Sequence, residues 1–411
     1  MATPSLAMIP SAYADSKLYS VIPNNGDGDF TFDRASTATR VGQNGLIETV
    51  AIDLPRLNYD ISNGVVQSCP SLLLEPASTN LVPYSEDFSN AAWNKIAATI
   101  TTNSDISPDG TQNSDLFVPS SSGGQIYDGL GSKAASAITY TTSLYVKQKG
   151  LSSLRIYLHG TSNADRGDAT FNLSNQTVSF SNNGAFTNTS ASMLNVGNGW
   201  YRCILVTTSD TSTSTQLVIR YDGSTDNVSG LNIWGCQTEE QSYPTSYIPT
   251  TGAIQTRAAE TCFGAGTSST FNSTEGVLYV EIKTFSESGS AGVISLNDGS
   301  NTNRVKIELD GGQIKVRIDT TAGQVASLNY TIAITNYLKI AVKWKADDYA
   351  LWINGIEGAT DTSGASFVAG TLSELSFDRG DGVEDFYGNT KDVRVYNEAL
   401  TDLQLQKLTT L

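Results

Sequence analysis

One histidine, four cysteines and three methionines in 411 residues leave little material for metal or nucleophilic chemistry. Any Ser-His-Asp or Cys-His system would have to use His159, and no G-x-S-x-G elbow accompanies it. The histidine count alone excludes a histidine-ligated catalytic zinc. Cys69, Cys203, Cys236 and Cys262 form no C-x-x-C pair, which argues against a cysteine zinc site. Cys203 and Cys236 lie in apolar strand-like runs that suit free buried thiols, and no structural disulfide is expected. Charged residues make up 16% of the chain, below the roughly 25% of an average globular protein. The net charge is −16 without a basic stretch, which excludes phosphate-directed nucleic-acid binding and attraction to an anionic membrane. No run approaches the roughly 18 apolar residues of a membrane span. The opening "MATPSLAMIPSAYADSKLYS" lacks the basic and apolar regions of a signal peptide, so synthesis in a cytoplasm is expected.

Ser, Thr, Asn and Gly fill the space that charge leaves. These residues suit strand surfaces and turns better than helix interiors, and they predict an all-β protein. Three regions follow. Residues 1–83 hold short runs such as "DFTFDR", "GLIETVA" and "PSLLLEP" between Asn-Gly and Asp-Gly turns, with too little regular apolar material for a large core. They are expected to form an extended arm that buries its apolar residues against another subunit or a neighbouring domain, and whose removal leaves the rest folded. Residues 84–258 alternate in "ITYTTSLYVKQ" and "STQLVIRYDG" and continue in "NGWYRCILVTTS", the pattern of a jelly-roll β-sandwich. Residues 259–411 repeat the style in "GVLYVEIKTFSE", "LDGGQIKV" and "YALWINGIEG", which predicts a second, separate sandwich. Only "NEALTDLQLQKL", 397–408, suggests a helix, with Thr401 as N-cap and Leu403, Leu405 and Leu408 as its apolar positions.

Candidate site residues are few. The acidic loop "DRGDGVED" offers Asp378, Asp381 and Asp385, with Glu384, as oxygen ligands for a structural calcium; Asp109 and Asp115 in "SPDGTQNSD" form a second candidate. For a glycosidase pair the best cluster is the same "DRGDGVED", whose loop spacing suits a hairpin tip or a calcium loop better than a cleft, and Glu239 with Glu240 offers nothing better. No cofactor is required. Among aromatics, Trp200, Trp234, Trp344 and Trp352 lie in strand runs and are expected in cores. Trp93 is expected to be partly exposed, and Tyr127, Tyr157 and Tyr221 lie in or beside jelly-roll strands where they could line a sheet face for a sugar. Register decides which face each residue takes.

The stretch "PSLLLEPASTNLVPYSEDFSNAAWNK", followed by "GLNIWGCQTEEQSYPTSYIPTTGAIQTRAAE", resembles a family of tailed-phage and prophage virion proteins. In that family these signatures bracket a carbohydrate-binding-module-like jelly roll. "DRASTATR" and the following "NGLI" resemble the family's N-terminal segment, with Asp33 where the family often has Thr. "YALWINGIEG" and "FYGNTKDVRVYNEALTDLQLQKL" resemble a closing laminin-G or concanavalin-like sandwich. The resemblance implies a non-enzymatic virion structural protein: an exposed fibre, spike or decoration subunit. It also implies a homo-oligomer, with a trimer favoured, attached to other virion proteins through residues 1–83 and contacting host-surface glycans. A polysaccharide-degrading tail enzyme and a spacer without a ligand are the alternatives. Arg34, Arg40 and Arg56 suit carboxylate pairing, either across such an assembly or within the subunit.

Overall fold

The computed structural model describes residues 2–411. The chain is 52% strand and 2% helix. Turn chemistry sets much of the local structure. Asn198 (φ +52°) and Gly199 (φ +80°) join strands Thr187–Gly197 and Trp200–Thr208, and Asn354 (φ +50°) and Gly355 (φ +83°) join Tyr349–Ile353 to Ile356–Asp361. Two successive positive φ values give the two-residue turn whose twist matches its flanking strands.

The middle sandwich draws both sheets from one continuous stretch. One sheet runs in the order Asn94–Ile96, Gly124–Ser132, Ser214–Tyr221, Ser153–His159, Arg166–Asn172, Thr177–Asn183. The other runs Ala98–Asp105, Ser114–Pro119, Gly230–Glu239, Thr139–Lys149, Trp200–Thr208, Thr187–Gly197. Between them Phe117, Ile126, Leu144, Ile156, Phe171, Leu205, Leu217, Ile219 and Ile233 form a buried core.

The terminal sandwich is assembled differently. Its five-stranded sheet uses only late strands, from Ser290–Asn297 to Glu374–Ser376. Its eight-stranded sheet does not. Strand Gly388–Tyr396 pairs on one side with Glu275–Lys283 and on the other with two strands from the start of the chain, Leu6–Met8 and Ser71–Leu74, and Arg56–Asn58 extends the sheet beyond them. Leu6, Met8, Phe30, Phe32, Leu72 and Leu74 share one core with Leu278, Val280, Val393 and Val395. Helix Asp402–Thr409 covers the outer face of this sheet through Leu405 and Leu408, over Tyr279, Ala341 and Trp352. Its Gln404 side chain accepts the Thr401 N–H at 2.8 Å, but Leu403 points outward, 60% exposed.

Residues 1–83 are therefore extended and serve both sandwiches of the same chain: Leu6, Met8, Leu18, Phe30, Phe32, Leu57, Leu72 and Leu74 are buried in the terminal core, Val82 joins the middle core, and Ile47 packs on the middle sandwich's outer cluster. Their apolar residues are thus buried against neighbouring domains, as one form of the expectation had it, and the pairing argues against their being removable: without them the Gly388–Tyr396 strand would lose both neighbours on one side.

Candidate functional site

Strand alternation sorts the first sheet of the middle sandwich into two faces. Ile126, Leu154, Ile156, Leu158, Leu217 and Ile219 point into the core. Their neighbours point out and line up across strands. Asn94, Tyr127, Val218, Tyr157, Asp168 and Ser181 form one row across all six strands. Gln125, Arg220, Arg155, Thr170 and Ser179 flank it on one side, and Gly129, Gln216, His159, Arg166 and Asn183 on the other. At its centre the Arg155 and Arg166 guanidinium carbons stand 5.4 and 5.9 Å from the Tyr157 ring centroid. Both arginines pair with Asp168, at 3.2 and 3.3 Å, and Arg155 also reaches Asp222 at 3.3 Å. Asn183 donates to Asp168 at 2.7 Å. His159 lies between Gly160 O (2.7 Å from Nδ1) and Gln216 Oε1 (2.9 Å from Nε2), so it is a sheet-face residue without a nucleophile in its shell. Among the described residues, none from outside the middle region hydrogen-bonds to this face.

The four aromatics proposed for sugar stacking separate. Tyr127 is half-buried on the outer face. Tyr157 is on that face, 2% exposed, roofed by its two arginines. Tyr221 points into the core and donates its hydroxyl to Ser224 O at 2.9 Å. Trp93 is not partly exposed: it packs against Phe88, ring centroids 5.1 Å apart, and its indole N–H donates to Tyr84 O at 2.9 Å. Trp200, Trp234, Trp344 and Trp352 are buried.

The second sheet of the middle sandwich has no comparable free face. Tyr145, Trp200, Trp234 and Tyr247 cluster on its outer side, and the early hairpin Ala38–Val41/Ile47–Val50 packs Ile47 against them. Ile47 N–H donates to Pro108 O at 2.9 Å and Thr39 Oγ1 to Tyr247 O at 2.6 Å. A cavity of about 290 Å³ remains under the hairpin, walled by Leu46, Ile47, Ile106, Val196 and Trp200.

The acidic loop does not gather its carboxylates. Asp381 pairs with Arg379 at 2.8 Å and Glu384 with the same arginine at 2.7 Å. Asp378 is buried and accepts the Gly380 N–H. Asp385 faces the Tyr387 hydroxyl at 3.5 Å, and burial, helped by Asp378, pushes its carboxyl up to about 6. Asp109 closes a turn by accepting from Thr111 N at 2.7 Å. Asp115 accepts backbone N–H groups of Phe88 and Asn103, with burial raising it to about 6. Among the described residues no three His, Cys, Asp or Glu side chains converge as a metal requires. Glu239 is buried against Ser78 and Thr245, whereas Glu240 is exposed.

The signature segments meet in a place the linear sequence does not show. Arg34 pairs with Glu260 at 2.7 Å; Arg56 pairs with Glu75 at 2.8 Å and bidentately with Glu260; Arg257 pairs with Glu75 at 2.9 Å. All five side chains are at most 3% exposed. Burial opposes ionisation of Glu75, but Arg257 and Arg56, with hydrogen bonds from Ser246, hold its carboxyl down at about 2. The cluster lies where the chain enters and leaves the middle sandwich. Arg34 and Arg56 thus pair within the subunit, and Arg40 pairs there with Glu48 at 3.3 Å.

Residues 265–406 match the concanavalin A-like lectin/glucanases superfamily. No curated protein matches the chain. Among solved structures, the carbohydrate-binding module of the Ruminococcus gnavus IT-sialidase bound to α2,3-sialyllactose is 19% identical, with 34% of this chain and 83% of that one covered and a TM-score of 0.30. The leech intramolecular trans-sialidase is 20% identical over 34% of this chain and 24% of its own, TM-score 0.30. Domain 4 of AbnA, an extracellular arabinanase from Geobacillus stearothermophilus in complex with arabinotriose, is 13% identical over 42% and 84%, TM-score 0.31. Scores this low do not establish a shared fold.

Proposed function

We propose that the protein is a non-enzymatic structural component of a tailed-phage virion, an exposed fibre, spike or decoration subunit that holds host-surface glycans on the open face of its middle sandwich. One observation carries the glycan reading: the first sheet of that sandwich presents an ordered array of tyrosine, arginine, amide and hydroxyl side chains that no other described part of the chain covers, while the aromatic centre of its partner sheet is covered by the early hairpin. The resemblance of the bracketing signatures to phage proteins with a carbohydrate-binding-module-like jelly roll supports it; the lectin-like match, residues 265–406, lies in the terminal sandwich and bears on that sandwich alone. A shallow face gives weak single-site affinity, and repetition in a homo-oligomer, a trimer by preference, raises avidity by roughly 10²–10⁴.

Glycan-array binding by the purified full chain, with oligomeric state read by light scattering, tests this. Binding by an oligomer without release of reducing ends is expected. Release of reducing ends favours a depolymerising enzyme, and silence on the array favours a spacer.

A further inference from the structure

Resting on the glycan-binding reading, we propose that the open face selects polysaccharides that carry carboxylate groups, such as uronate or sialate polymers. The chain carries a net charge of −16, so an acidic polymer is repelled by most of its surface. The central rows of this face reverse the sign: Arg155, Arg166 and Arg220 stand against Asp168 and Asp222.

The geometry keeps that surplus available. Asp168 is 7% exposed and also accepts from Asn183, so one sunken carboxylate orients two guanidinium groups, while the exposed Asp222 takes Arg155 Nη1 at 3.3 Å and Arg220 Nε at 2.5 Å, leaving three guanidinium groups against two carboxylates. Tyr157 beneath fixes the planes of both. Arg155 Nε is buried and finds no acceptor among the described residues, a donor left over in a group whose fork matches a carboxylate. Tyr127, half-buried on the outer face, stands in the same row two strand spacings away, about 10 Å. A sugar ring on Tyr127 and a carboxylate on the arginine pair fit one short stretch of polymer.

The test uses the full chain in affinity electrophoresis against polygalacturonate and its fully methyl-esterified form, and against polysialate and its carboxyl-reduced form. The acidic form of at least one pair should be retained about tenfold more strongly at low salt, the effect of two or three exposed charge contacts. High salt should erase most of the difference, since these contacts are exposed. R155Q/R166Q should lose the preference, and R155K/R166K, which keeps the charge and loses the fork, should retain part of it; melting curves confirm that both variants are folded. Equal retention of acidic and neutral forms overturns the carboxylate preference and leaves glycan binding standing. Retention of neither form, with silence on a wider glycan array, overturns both. Equal retention of single-stranded DNA marks simple ion exchange and also overturns the proposal.

Discussion

The middle and terminal sandwiches solve the same packing problem with different parts of the chain. Every strand of the middle sandwich lies between residues 94 and 239, so its core closes on sequence neighbours. The terminal sandwich leaves one side of Gly388–Tyr396 to strands more than 300 residues earlier, and the Asn389 side chain bonds to Ser71 Oγ across 318 positions. A sandwich built from neighbours can fold alone; one built from both ends of the chain waits for the whole.

Deletion of residues 1–83 tests this contrast most severely. The terminal sandwich should then lose its cooperative thermal transition and aggregate, while residues 84–258 expressed alone should melt as one unit. A stable, monodisperse fragment of residues 259–411 would erase the difference between the two regions. The next largest effect is expected at the joint. Glu260→Ala strands Arg34 and Arg56 in the interior and should cost about 3–5 kcal/mol in urea unfolding. A loss below about 1 kcal/mol would mean that the cluster is not what holds the early segments to the rest.

Acid sharpens the same point. The Glu75 carboxyl is depressed from 4.5 to about 2, so its contribution is present above about 4.5 and is lost as pH falls through about 2. Glu75→Gln should therefore lower stability at neutral pH by roughly 3 kcal/mol, and the gap to wild type should narrow as pH drops below about 4.5. Asp385, raised to about 6, has the opposite sign: its contribution is greatest at acid pH and is lost as pH rises through 6. A gap that stays constant down to pH about 2.5 would remove Glu75 from the linkage. The smallest effect belongs to the open face. Tyr127→Ala should leave stability within about 0.5 kcal/mol and weaken glycan binding by about 1 kcal/mol, roughly fivefold.

The fold class and the turns were legible because they are local. Asn198-Gly199, Gly311-Gly312 and Asn354-Gly355 all sit at hairpin ends, and Thr401 starts the helix next to Asp402. The pairing of Leu6–Met8 and Ser71–Leu74 was not legible: three or four residues carry no periodicity, and nothing nearby marks a partner hundreds of positions away. The site followed the same divide. Tyr127, Tyr157 and Tyr221 were recognisable as strand residues, but facing is a matter of parity, and one step of register separates Tyr221 in the core from Arg220 outside. The value of Arg155 and Arg166 lay in cross-strand alignment with Tyr157, which spacing alone does not show. Arg34 and Arg56 were visible as carboxylate partners, whereas Glu75 and Glu260 were hidden inside the signatures that bracket the jelly roll and serve as interior fastening.

The segments that lead into and out of the middle sandwich lie side by side, Ser78 opposite Arg257, Asn80 opposite Gln255, with the Thr79 and Thr256 hydroxyls 2.8 Å apart. The chain therefore departs from the terminal sandwich and returns to it at a single doorway. Adjacent ends are what allow one module to be lodged inside another without disturbing its host. The middle sandwich is a cassette: genetic exchange between the two signatures could replace the whole module while Glu75, Arg257 and Glu260 remain as the socket that receives it.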